Sequence, residues 1–166
     1  MRRVGFLAAS VVVTLLVETT LLGGLRLGGA RPDLLVLVEV AVAMVSGPTS
    51  GAAFGFAAGL VADLLLDLPV GVSAFVYTVV GFAVGLARTY VVSSNALVHM
   101  TLAASASLVS VWLSGLILRL MDLSSWGLVA RSGLLVAGFN LLVTPLVYPV
   151  VRALAERYLA ERVYRW

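Results

Sequence analysis

Cysteine and lysine are both absent from these 166 residues, and only 11% of the residues are charged. Without cysteine there are no disulfides, thiolate metal sites or cysteine nucleophiles. Without lysine every basic residue is arginine, a bias better explained by a GC-rich genome than by a need for guanidinium chemistry. The shortage of charge says the most. Together with a hydrophobic share of 61%, against about 45–50% hydrophobic and about 25% charged in a soluble domain, it makes the bilayer part of the solvent.

Catalytic signatures are missing too. His99 is the one histidine, and no second histidine or carboxylate stands at metal-ligand spacing from it, so it reads as a packing residue near Asn95. No Ser, His and Asp set, nucleotide-binding glycine loop or pair of catalytic carboxylates occurs in a water-accessible context. The expectation is therefore no catalytic residue, no cofactor and no metal. Nucleic acid is not an expected partner, because the arginines are spread over two membrane faces.

What is present is a series of apolar runs that continue around every helical face, predicting an all-α integral membrane protein. A span needs about 20 apolar residues to cross about 30 Å of hydrocarbon. About six spans are expected, at about 4–25, 33–46, 48–67, 69–88, 92–118 and 128–151, forming one transmembrane domain over 1–151. The start resembles a signal peptide, Arg2 and Arg3 preceding an apolar run, but Glu18 follows directly and span parity favours a retained first span. The Ser46-Gly47-Pro48-Thr49-Ser50-Gly51 turn signal splits 33–67 into two helices. The first of these is too short to face lipid alone, so it must be shielded by neighbours.

An even span number puts both termini on one side. Arg2, Arg3, Arg88, Arg152, Arg157, Arg162 and Arg165 are then cytoplasmic, and Arg26, Arg31, Arg119 and Arg131 are outside. Beyond Pro145 and Pro149, residues 152–166 read as a cytoplasmic amphipathic basic tail, with Leu154, Tyr158, Leu159, Val163 and Trp166 at helical spacing, suited to an anionic leaflet.

The most informative pattern is Gly47, Gly51, Gly55 and Gly59 at four-residue intervals, continued by Asp63 and Asp67. Small residues at this spacing let helix backbones approach closely in lipid. Gly81 and Gly85 supply a matching row, so internal packing is the plainer reading and a partner's helix the sharper one. Glu18, Glu39 and Asp63 are ionisable groups inside spans, which usually face protein, a partner or a cavity. Glu18, Asp63 and Asp67 lie toward the outer leaflet, where they can pair with Arg26, Arg31 and Arg119 or snorkel. Glu39 has no arginine at its depth, so desolvation favours the neutral acid. In Arg31-Pro32-Asp33, proline and aspartate suit a helix start, and the outer location leaves room for a contact.

Arg31-Pro32-Asp33-Leu34-Leu35, then Gly47-Pro48, Gly51, Gly55-Phe56-Ala57-Ala58-Gly59-Leu60-Val61-Ala62-Asp63-Leu64, and Pro69-Val70-Gly71-Val72-Ser73-Ala74 before Gly81 and Gly85 occur in an order that resembles the MreD family. These are membrane subunits of the bacterial rod-shape system, the elongasome. The resemblance covers about the central 55 positions by motif, and Glu39 departs from the aliphatic second span it implies. It implies a non-enzymatic scaffold of the bacterial cytoplasmic (inner) membrane, with a fold like the S-component of energy-coupling-factor transporters. The implied partners are MreC, through its transmembrane helix and juxtamembrane region, then the RodA and class B penicillin-binding protein synthase pair, and MreB. Arg31, Pro32, Asp33, Gly51, Gly55, Gly59, Asp63 and Asp67 are the candidate partner-interface residues. The fold likeness raises a competing expectation, a vitamin-transporter subunit, which would need an outward pocket lined by converging polar groups.

Overall fold

The computed structural model describes residues 2–20, 33–65, 69–90 and 96–159. Among these the chain forms six helices and no strand: α1 (Arg2–Thr20), α2 (Leu34–Ser46), α3 (Pro48–Leu65), α4 (Val72–Ala87), α5 (Ala96–Leu120) and α6 (Trp126–Leu159). Segments within α3, α5 and α6 are long and apolar enough to cross a membrane, whereas the apolar stretches of α1, α2 and α4 are shorter.

The shortest helix is the centre of the bundle. α2 has 13 residues, about 20 Å at 1.5 Å per residue, and cannot cross about 30 Å of hydrocarbon unaided. Its residues 34–43 are all buried, and it touches each of the other five helices. A helix apolar on every face is stable only when surrounded. On one side Leu35, Val38 and Val42 join Val11 and Leu15 of α1 and Phe54, Ala58 and Ala62 of α3. On the other, Val36, Val40 and Ala43 join Val76, Val80 and Val84 of α4, Ala106 of α5 and Tyr148 of α6.

A single residue separates α2 from α3. Gly47 takes φ +88°, a left-handed conformation that favours glycine, and donates its N–H to the Ala43 carbonyl at 2.8 Å. Pro48 then opens α3, where its missing N–H costs nothing. The Arg88 guanidinium lies beside Gly47, placing a cation at the carbonyl end of α2, where the helix dipole favours it.

The last helix runs past the expected boundary at 151. No break separates a span ending at 151 from a tail beginning at 152, because α6 runs 34 residues through Pro145 and Pro149. The two prolines stand four apart, so both rings occupy the exposed side while Thr144 and Tyr148 are buried in packing. Thr144 Oγ1 also donates to the Asn140 carbonyl at 2.5 Å. The beginning of the expected tail is packed against α1: Ala155 is fully buried, and the Phe6 and Tyr158 rings stack at 5.0 Å. The Leu159 side chain, Arg162, Val163, Arg165 and Trp166 lie outside the described residues.

Candidate functional site

The glycine row of α3 is matched residue by residue to α4, antiparallel and in steps of four. A Cβ added to Gly51 would lie 2.5 Å from the Gly81 carbonyl oxygen, and one on Gly81 would lie 2.6 Å from that of Gly51. Gly59 faces the Ser73–Ala74 peptide at 2.5 Å by the same measure, Gly55 faces the Tyr77 carbonyl, and Gly85 faces Gly47 and Pro48. These are backbone-to-backbone contacts with no room for a methyl group. Close approach of this kind is how helices associate in lipid, where dispersion rather than water exclusion supplies the attraction. Gly51, Gly55 and Gly59 are thus occupied within the chain.

Asp63, one turn beyond Gly59 on the same row, caps α4. Its carboxylate accepts from the Gly71 amide at 2.8 Å, the Ser73 amide at 3.1 Å and the Ala74 amide at 3.3 Å, and it is 1% exposed. Of the outer arginines expected near it, Arg26 and Arg31 lie outside the described residues. Orphan amides at a helix start satisfy a carboxylate as well as a guanidinium does, and they lie next to it in the fold. Arg119 pairs with Asp122 at 2.8 Å. Asp63→Ala is expected to destabilise the protein by about 2–3 kcal/mol, since it strands buried donors and removes charge-assisted bonds. Asp63→Asn should cost less, and thermal unfolding in mild detergent would measure both.

A second polar knot fixes the start of α2. Asp33 caps it, Oδ1 accepting from the Val36 amide at 3.1 Å, while Oδ2 accepts from the Tyr77 hydroxyl of α4 at 2.9 Å. The Asn140 amide of α6 donates to the Asp33 carbonyl at 2.9 Å and to Ser107 Oγ of α5 at 2.6 Å. Four helices meet in these bonds. Glu18, near the end of α1, lies within electrostatic range of Tyr77.

Glu39, 1% exposed, lies six residues further along α2. One carboxyl oxygen sits in the notch that Gly55 and Gly81 leave open, and among the described residues neither oxygen has a hydrogen-bond partner of good geometry, although the Gly81 backbone is close. The side chain thus fills the crossing of α2, α3 and α4, where two glycines make space for it.

Of the residues expected to form a partner interface, Asp33, Gly51, Gly55, Gly59 and Asp63 are brought together along α2, α3 and α4, while Arg31, Pro32 and Asp67 lie outside the described residues. Arg26 and Asn95 also lie outside them. His99 is buried with its ring 4.7 Å from that of Tyr148, in keeping with a packing role. Tyr77, Ser107 and Asn140 were not singled out as binding groups from the sequence. Asn140 carried a readable signal, an amide within an apolar span that must find partners on another helix. Facing away from this core, Phe56 of α3 and Phe75, Val79, Phe82 and Leu86 of α4 are exposed. Open grooves between α1 and α6 and between α4 and α5 are lined mainly by apolar side chains.

These parts hold helices together and give a rigid surface to the outside. No match was found among curated proteins or solved structures. The family model described as rod shape-determining protein MreD matches residues 3–157, nearly the whole chain. The chain therefore belongs to the MreD family of membrane proteins that take part in rod-shape determination.

Proposed function

We propose that this protein is a non-enzymatic scaffold of the bacterial inner membrane that binds the transmembrane helix of MreC and through it supports peptidoglycan synthesis during cell elongation. All six helices cross or are embedded in the bilayer, and both termini are cytoplasmic. The RodA and class B penicillin-binding protein pair and MreB are its further partners. Family membership supports the setting, and one observation carries the scaffold reading: α3 and α4 are locked backbone to backbone and backed by the buried α2. A plate so fixed loses little conformational entropy when it receives another helix.

Because the glycines are spent inside the chain, the docking surface lies on the outer side of the same pair, at Phe56, Phe75 and Phe82. Exposed aromatic side chains are apt anchors for a neighbouring helix. Co-purification tests the reading. Phe75→Ala combined with Phe82→Ala should reduce recovery of MreC about tenfold or more, as expected when two anchors worth about 1 kcal/mol or more each are removed. Arg131→Ala, on the exposed face of α6, should leave recovery unchanged. Full recovery of MreC with the double variant would remove this surface from the reading.

A further inference from the structure

We infer that the groove between α1 and α6 is a binding site for one anionic phospholipid, its acyl chain lying in the groove and its headgroup at the end marked by Tyr158, beside Arg157. The groove has a volume of about 510 Å³ and is bounded by Phe6, Ala9 and Val13 of α1 and by Leu154 and Tyr158 of α6, with Val38 of α2 at its floor. At one end of it the two helices meet, where Phe6 stacks on Tyr158. Between them the wall is built of small or β-branched residues that leave space.

Size and charge select the occupant. A 20-residue transmembrane helix is about 30 Å long and about 10–12 Å across, several times the bulk of this groove, whereas pockets of about 300–1,000 Å³ take single small amphiphiles. At the end marked by Phe6 and Tyr158, Arg2 and Arg3 hold the helix positions four and three before Phe6. Arg157, exposed, adjoins Tyr158, and Arg152 stands one and a half turns earlier. Glu156 neutralises part of this charge through its 2.7 Å bond with Arg152, which leaves the end net basic. Arginines beside an apolar slot at an interface attract phosphate headgroups, with guanidinium donors suited to phosphate oxygens. The inference is independent of the MreC reading, since its groove is lined by α1, α2 and α6 and by no residue of α3 or α4.

The full-length protein, delipidated in mild detergent and offered equimolar phosphatidylglycerol and phosphatidylcholine, would be examined by native mass spectrometry. The expected spectrum shows one retained phosphatidylglycerol per chain. Ala9→Trp, which fills the groove, should abolish that species. Arg157→Gln, an exposed change that leaves the fold intact, should lower the preference for phosphatidylglycerol over phosphatidylcholine about fivefold, the worth of one arginine near an anionic headgroup. The inference is overturned by equal retention of the two lipids, or by an unchanged preference in Arg157→Gln. It is equally overturned if the groove proves to hold a second copy or the MreC helix, seen as a dimer or complex that Ala9→Trp dissociates.

Discussion

Gly55→Leu is expected to abolish the folded protein rather than weaken one contact. The new Cβ alone would overlap the Glu39 carboxyl and the Tyr77 backbone, and the Tyr77 carbonyl carbon would be 2.6 Å away. A flexible side chain could yield, but a backbone pinned on both sides cannot. One turn in either direction, Gly51 against Gly81 and Gly59 against Ser73 hold α3 and α4 at the same separation. Overpacking that can relax costs about 1–3 kcal/mol, and this crossing cannot relax, so the loss should take a large part of the total stability of about 5–15 kcal/mol. Gly138→Ala makes the control, because a Cβ there meets nothing within 4 Å. It should stay within about 0.5 kcal/mol of the parent. Yield of monodisperse protein and its melting temperature in detergent would report both.

The second large effect is expected at the knot that starts α2. Asp33→Ala removes the helix cap, worth about 1 kcal/mol, and strands the part-buried Tyr77 hydroxyl, worth about 1–3 kcal/mol more. A total loss of about 2–4 kcal/mol follows. Tyr77→Phe should be milder, since it removes the stranded group along with its bond. The double variant Asp33→Ala/Tyr77→Phe should then be more stable than the two single losses add up to, by about 1 kcal/mol or more. Strict additivity would show that the 2.9 Å contact carries no energy.

Much of this core was legible because glycine spacing is a direct record of backbone approach. The rows at Gly51, Gly55 and Gly59 and at Gly81 and Gly85 predicted a crossing, and α3 and α4 cross there with Gly51 against Gly81. The shortness of α2 likewise required shielding, which five helices provide. Other features were hidden for physical reasons. Periodicity tells which face of a helix is apolar but not which faces meet, so a bond from Asn140 to Asp33, across 107 residues, had no local signature. The bonds of Asp63 were hidden in the same way, because a carboxylate accepts from any donor and only the fold brings the 71–74 amides to it. Pro145 and Pro149 do not end the last helix. Four-residue spacing instead keeps both rings on one exposed side, and packing of Ala155 and Tyr158 against α1 carries the helix onward.

Glu39 combines both lessons. Its mid-span position marked it as buried, and the structure adds the notch between Gly55 and Gly81 that receives it. A carboxyl in that position couples the glycine rows to α2, so the departure from an aliphatic second span is compensated by space on two neighbouring helices.

The absence of cysteine makes site-directed disulfide cross-linking to MreC in native membranes the most direct measurement of the scaffold proposal. A single cysteine replacing Phe82 of α4, 45% exposed, would be paired with single cysteines along the MreC transmembrane helix and compared with one replacing Leu142 of α6, 76% exposed. Docking on the α3–α4 plate predicts a helical repeat of cross-links from position 82 and none from position 142. Cross-links from position 142 with none from 82 would contradict it.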